Sequence, residues 1–132
     1  MKKEIAKTEF YEIHVDQEIN RVYKVMRGHW KKLSEVFDYK KDNLESLKHL
    51  TPGFTTLLDI SEMQLPSDEV LNLMVEVSKD SEEAGQGRQA QVINKKDMGI
   101  IRGSRDVLKK SDMDLKMMQF GSYDEAIEWL DR

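Results

Sequence analysis

Apolar positions along this chain recur at two intervals, and each change of interval marks a new element. "FYEIHV" (Phe10 to Val15) and "RVYKVM" (Arg21 to Met26) alternate with the period of a strand, and the short "DQEIN" between them predicts an antiparallel hairpin. Beyond Gly28 the spacing turns helical through Trp30, Leu33, Val36 and Phe37, then Leu44 and Leu47, with "DYKKDN" as a break between two helical pieces. Thr51-Pro52-Gly53 stops that region. "FTTLLDI" (Phe54 to Ile60) is aliphatic and β-branched throughout, as a strand buried on both faces is. A helix follows, with Ser67 at the N-cap, Asp68 and Glu69 in the first turn, and Val70, Leu71, Met74 and Val77 along one face. The glycines of "SKDSEEAGQG" end it. "RQAQVIN" then predicts a strand, "DMGIIRGSRDVLKK" a helix with Gly99 and Gly103 one turn apart, and "DLKMMQF" another strand. In "SYDEAIEWLDR", Ser122 and Glu125 have capping-box spacing ahead of the stripe Tyr123, Ala126, Ile127 and Leu130.

The resulting order, β-β-α-β-α-β-α-β-α, predicts an α/β fold whose mixed, largely parallel sheet is covered by helices. No internal repeat, low-complexity tract or long linker divides the chain, so residues 1–132 are expected to form a single domain.

Composition narrows the function classes. Charged residues are 35% and hydrophobic ones 39%, enough apolar material for a core, so disorder is not expected. With no cysteine, disulfides, thiolate metal sites and thiol catalysis are excluded. "MKKEIAKTEF" carries two lysines with no apolar stretch behind them, unlike a signal peptide, and no run approaches membrane-spanning length. A soluble, cytoplasmic protein is the expectation. A net charge of −4 gives no basic surface for nucleic acid.

The order of elements, the strand "TTLLDISEM" leading into a helix, and the ending "QFGSYDEAIEWLD" resemble the SpoIIAA-like proteins of the STAS-like superfamily. The resemblance spans nearly the whole chain. It implies a small α/β domain used for protein interaction or ligand binding rather than catalysis, and sequences of this subfamily are also likened to lipid-binding domains of the CRAL-TRIO type. In anti-sigma factor antagonists an Asp-Ser-Ser-Gly segment carrying the phosphorylated serine follows this strand. Here "SEMQLPSDEV" stands in its place, without that motif, and Ser67 falls near the serine's position only when one residue is inserted.

Candidate residues follow from chemistry and position. Ser67 is either a plain N-cap or a phosphoacceptor or anion-binding hydroxyl at a helix N-terminus, although Asp68 and Glu69 would repel a phosphate. Asp59 and Ser61 lie where parallel strands open onto a ligand crevice, and an Asp there also commonly bonds a neighbouring turn. Trp30 either gates a pocket or anchors the first helix on the sheet. His14, His29 and His49 fall in different elements and show no metal spacing, and the Gly-x-Gly of "EAGQGRQ" precedes a strand instead of following one, so neither a metal nor another cofactor is expected. No local arrangement marks a nucleophilic enzyme.

Charge is segregated. Between Pro66 and Glu83 six acids (Asp68, Glu69, Glu76, Asp80, Glu82 and Glu83) face one lysine, whereas eight basic residues outnumber four acids between Arg88 and Lys116. The two stretches are solvated faces or complementary patches that steer a partner, with Arg102 and Arg105 as the anion-facing residues. Met63, Met74, Met98, Met113, Met117 and Met118 cluster in the later half as core filling or as the lining of an adaptable pocket. The expected partner is therefore a protein, a second copy of the chain in a homodimer included, or a small apolar or anionic ligand, and catalysis is not expected.

Overall fold

The computed structural model describes residues 1–132 apart from the side chain of Leu115. Strands β1 (Lys3–Lys7), β2 (Tyr11–Asp16), β3 (Arg21–Gly28), β4 (Thr55–Met63), β5 (Gln89–Val92) and β6 (Met117–Phe120) form one sheet whose spatial order follows the sequence. The first two pairings are antiparallel and the three from β3 to β6 are parallel. Helices α1 (Tyr39–Leu47), α2 (Asp68–Glu83) and α3 (Met98–Lys110) are the crossovers, and α4 (Tyr123–Leu130) closes the chain. Crossovers of one hand along a sheet that grows in one direction all fall on the same face. Accordingly Val36, Tyr39, Val70, Val77 and Ile100 share a core with Ile13, Val15, Val22 and Met26, while Ala126 and Leu130 of α4 pack with Tyr23, Leu57, Ala90 and Val92 on the other face.

Three local differences from the sequence pattern have physical causes. The order of elements gains a leading strand, β1, because "KEIAK" sits at the sheet edge with only Ile5 and Ala6 half buried, and its charged residues and a register shift between Glu4 and Ala6 erase the alternation. "DYKKDN" is not a break: α1 starts inside it, after a short 3-10 helix over Leu33–Val36. Finally, β4 runs on through Met63, so Asp59 and Ser61 lie within the strand and not at its end.

The helix ends obey local chemistry. Ser67 N-caps α2 by accepting from Val70 N at 3.4 Å, and Ser122 caps α4 by accepting from Glu125 N at 3.3 Å. At the other end of α2, Gly85 takes φ +94°, and Gln86 N donates to Ser81 O (3.1 Å) while Gly85 N donates to Glu82 O (3.0 Å), the paired bonds of a Schellman turn. A Cβ on Gly85 would stand 2.9 Å from Pro52 Cα, so only glycine lets the helix end meet the preceding turn. That turn aims Gln86 under α2, where it is 2% exposed.

Candidate functional site

Alternation along β3 sends Val22, Lys24 and Met26 to the face covered by three helices, and the register carries that choice across the sheet. Lys24 pairs with Leu58, Leu58 with Gln91 and Gln91 with Gln119, so one row under α2 and α3 contains a lysine, a leucine and two glutamines. Above this row lies a cavity of about 70 Å³. Its walls are apolar: Leu71, Met74 and Val77 from α2, Ile100 and Val107 from α3, and Met26, Leu58, Ile60 and Met63 from the sheet. Leu65 and Pro66, on the loop into α2, form the rim, and Leu65 rests on Gly103, where a Cβ would come within 2.7 Å of its Cδ1. Gly103 thus lets the loop lie close over α3.

The floor is polar and buried. Lys24 is 7% exposed and donates from Nζ to Asn43 Oδ1 at 2.5 Å, with the Tyr39 ring centroid 6.0 Å away. Asn43 Nδ2 donates to Ser81 Oγ (3.4 Å), which donates to Val77 O (3.1 Å). Gln91 Nε2 donates to Gln89 Oε1 at 2.8 Å, and Gln119 Nε2 donates to Gln91 Oε1 and to Ser104 Oγ, both at 3.0 Å. Thr56 Oγ1 donates to Gln86 Oε1, whereas Gln86 Nε2 has no partner among the described residues. Burial pulls the Lys24 amine down to about 8, since an ammonium loses its hydration there. Burial likewise pushes up the Tyr39 hydroxyl, with Tyr11 nearby adding to the effect.

The residues singled out from sequence take varied positions around this cavity. Asp59 alternates with Leu58 and Ile60, both of which line the cavity, and so faces the other side, where its Oδ1 accepts from Ser61 N (3.0 Å) and Ser61 Oγ (2.6 Å). Trp30 is fully buried between Tyr11 and Tyr39, with ring centroids 5.9 and 5.2 Å away, and donates from Nε1 to Arg27 O at 3.0 Å. That is an anchor's environment. Arg105 is exposed yet donates from Nε to Gln119 Oε1 at 2.9 Å, which ties it to the end of the floor, while Arg102 is exposed on α3. Met63 and Met74 line the cavity, Met113 is buried elsewhere, and Met98 and Met118 are exposed. The acidic side of α2 does not stand free: Asp80 and Glu76 lie 3.7 and 3.9 Å from Lys40 of α1, and Glu82 lies 3.5 Å from Lys116.

Sequence reasoning missed Lys24, Asn43, Ser81, Gln86, Gln89 and Gln91. Two signals were available: in "RVYKVM" a lysine occupies the same parity as Val22 and Met26, and in "QAQV" glutamines occupy alternate positions of a buried strand. Among the described residues no group of three histidines, aspartates or glutamates is placed to hold a metal ion, and no helix is long and apolar enough to cross a membrane.

No protein-family model and no curated protein matches the chain. Solved structures do. An uncharacterized protein of the DUF3478 family with a SpoIIAA-like fold, from Shewanella loihica PV-4, superposes with a TM-score of 0.59 at 14% identity over 95% of this chain and 97% of that one. The anti-sigma factor antagonist SpoIIAA in its unphosphorylated form gives 0.57 at 13% identity over 99% and 96%. The Bacillus cell fate determinant SpoIIAA in its phosphorylated form gives 0.56 at 15% identity over 98% and 99%. With a six-stranded sheet, three crossover helices on one face and α4 on the other, the chain has a SpoIIAA-like fold.

Proposed function

We propose that this chain is a non-enzymatic binding domain with a regulatory role, and that it works by holding a small ligand with an apolar body between α2, α3 and the sheet. The cavity carries this reading. Apolar walls with a few convergent polar groups are the ordinary make-up of a small-molecule site. Likeness to an anti-sigma factor antagonist supports the regulatory part and a protein partner that senses the loaded state. Ser67, capping a helix that begins with Asp68 and Glu69, supports control by ligand in preference to phosphate.

Native mass spectrometry of freshly purified protein, repeated after incubation with a cell lipid extract, tests the reading. A mass above that of the chain, lost in a variant with a filled cavity such as Ser104→Leu, is expected. Bare mass in both samples overturns it, as does turnover of esterase, phosphatase or nucleotide substrates that disappears in Asp59→Asn.

A further inference from the structure

The polar floor is unevenly satisfied. Gln91 and Gln119 are engaged with each other and with neighbours, but an ammonium has three donors and Lys24 has one acceptor, Asn43 Oδ1. Among the described residues no carboxylate lies within ion-pairing distance of Lys24, and the only other ionisable side chain lining the cavity is Tyr39. Gln86, also buried in the lining, keeps an amide without a partner among those residues. Asn43 and Ser81 connect the two, since Asn43 accepts from Lys24 and donates to Ser81, whose carbonyl accepts from Gln86 N. An uncompensated cation and an unmade amide bond under apolar walls are both costly, and both are relieved by one anionic acceptor.

Resting on the reading of the cavity as a ligand site, we propose that it takes a monocarboxylate on an aliphatic body, the carboxylate received by Lys24 and Gln86 and the chain lying among Ile60, Met74 and Val107. Charge chooses this class. One buried cation balances one negative charge, whereas a phosphate dianion would leave a net charge in a low-dielectric site. Two carboxylate oxygens accept the two sets of donors, whereas the wall hydroxyls that a sugar or nucleoside would need are already engaged, Ser78 with Ser111, Ser81 with Val77 O and Ser104 with Ile101 O and Gln119. Size limits the body: about 70 Å³ is roughly half of an engineered apolar cavity of about 150 Å³ that admits benzene. The enclosed part is thus the carboxylate and its first carbons, of a free short-chain acid or of a fatty acid, and the rest of the chain leaves past Leu65.

Titration with butyrate, with 1-butanol and with palmitate, followed by NMR shifts of the cavity residues in the wild type, Lys24→Met and Gln86→Leu, separates the outcomes. Butyrate is expected to bind the wild type on the order of ten- to hundred-fold more tightly than Lys24→Met, the range for a hydrogen bond to a charged group, while butanol affinity is not reduced. If Lys24→Met does not fold, a smaller loss of the same sign in Gln86→Leu supports the assignment. Palmitate binding more tightly than butyrate, with the same dependence on Lys24, identifies the fatty acid; the reverse order identifies the short acid. Butanol binding as well as butyrate does, or acid binding indifferent to both substitutions, overturns the carboxylate assignment and leaves the apolar-ligand reading standing. No binding of any of the three overturns both.

Discussion

Tyr23, Leu57, Ala90 and Val92 pack against Ala126 and Leu130 of α4, while the residues beside them in the same strands, Lys24, Leu58, Gln89 and Gln91, look into the cavity beneath α2 and α3. The α4 face is closed by contacts typical of a structural core. Arg21 donates to Asp131 Oδ1 at 2.9 Å, Arg88 donates to the carbonyls of Leu130 and Arg132 at 3.2 and 2.9 Å, and Arg88 lies 4.5 Å from the Trp129 ring centroid. Among the described residues, the cavity face holds a lysine with no counter-ion and an amide with no partner, features that lower stability wherever they serve nothing else. A one-residue step along a strand therefore separates a fully packed face from one with buried polar groups left incompletely paired.

The largest effect that would break this contrast is on the closed face. Leu57→Ala, at a site 1% exposed, is expected to destabilise by about 3 kcal/mol in urea unfolding, from lost burial plus a cavity, without weakening the ligand under native conditions. A comparable loss of binding would mean that the two faces are coupled. On the open face the sign reverses. Lys24→Met removes a desolvated charge and is expected to raise stability by about 2 kcal/mol, part of the gain being offset because Asn43 loses its donor. A destabilised Lys24→Met would show instead that the Lys24–Asn43–Ser81 chain holds α1 and α2 in place.

Proton linkage sharpens the same point. The folded protein releases the Lys24 proton near 8, whereas an unfolded lysine keeps it to about 10.4, so between these values the unfolded state binds more protons and stability rises with pH. Tyr11 and Tyr39 act oppositely. Burial raises both hydroxyls, helped at Tyr11 by its 2.6 Å bond to Asp42 Oδ2, so above about pH 10 the unfolded state loses tyrosine protons that the folded state retains, and stability falls. Urea midpoints from pH 7 to 11 are expected to climb by about 1.5 kcal/mol to a maximum near pH 10. In Lys24→Met the climb disappears and only the fall remains.

How far the sequence disclosed the molecule depended on whether a signal was local. Caps and stops were legible because Ser67, Ser122 with Glu125, and Gly85 act on backbone within a few residues. The charged edge strand β1 was not, since its partly buried residues, Ile5 and Ala6, are adjacent and show no period. The cavity floor was legible only in part. Lys24 and Gln91 broke a visible pattern, but Asn43, Gln86 and Gln119 reach the site through a helix, a Schellman turn and the last strand, and nothing near them in sequence announces the convergence. Asp59 drew notice by its place near the C-terminal end of a parallel strand, and the parity of β4 turns it away from the cavity.

The smallest predicted effect tests whether the loop at the cavity rim is a switch of its own. Pro66 keeps Leu65 out of the helical region, which leaves Ser67 extended at φ −65° and ψ 162° with its hydroxyl accepting from Val70 N and its own N donating to Trp30 O at 3.2 Å. Asp68 and Glu69 already supply the negative charge that the start of α2 favours, so a phosphate on Ser67 adds little attraction and much repulsion. Ser67→Ala is then expected to cost about 1 kcal/mol, and Ser67→Asp, itself a good cap, to be nearly neutral in stability. Neither is expected to alter ligand affinity, because Ser67 caps the helix from outside the cavity lining while Leu65 and Pro66 form the rim. Urea unfolding and butyrate titration of both variants measure these effects. Phosphate on Ser67 in protein from its native cells, together with a partner that binds only one form, would place a second control at this rim and make the two faces of the sheet less independent than their packing indicates.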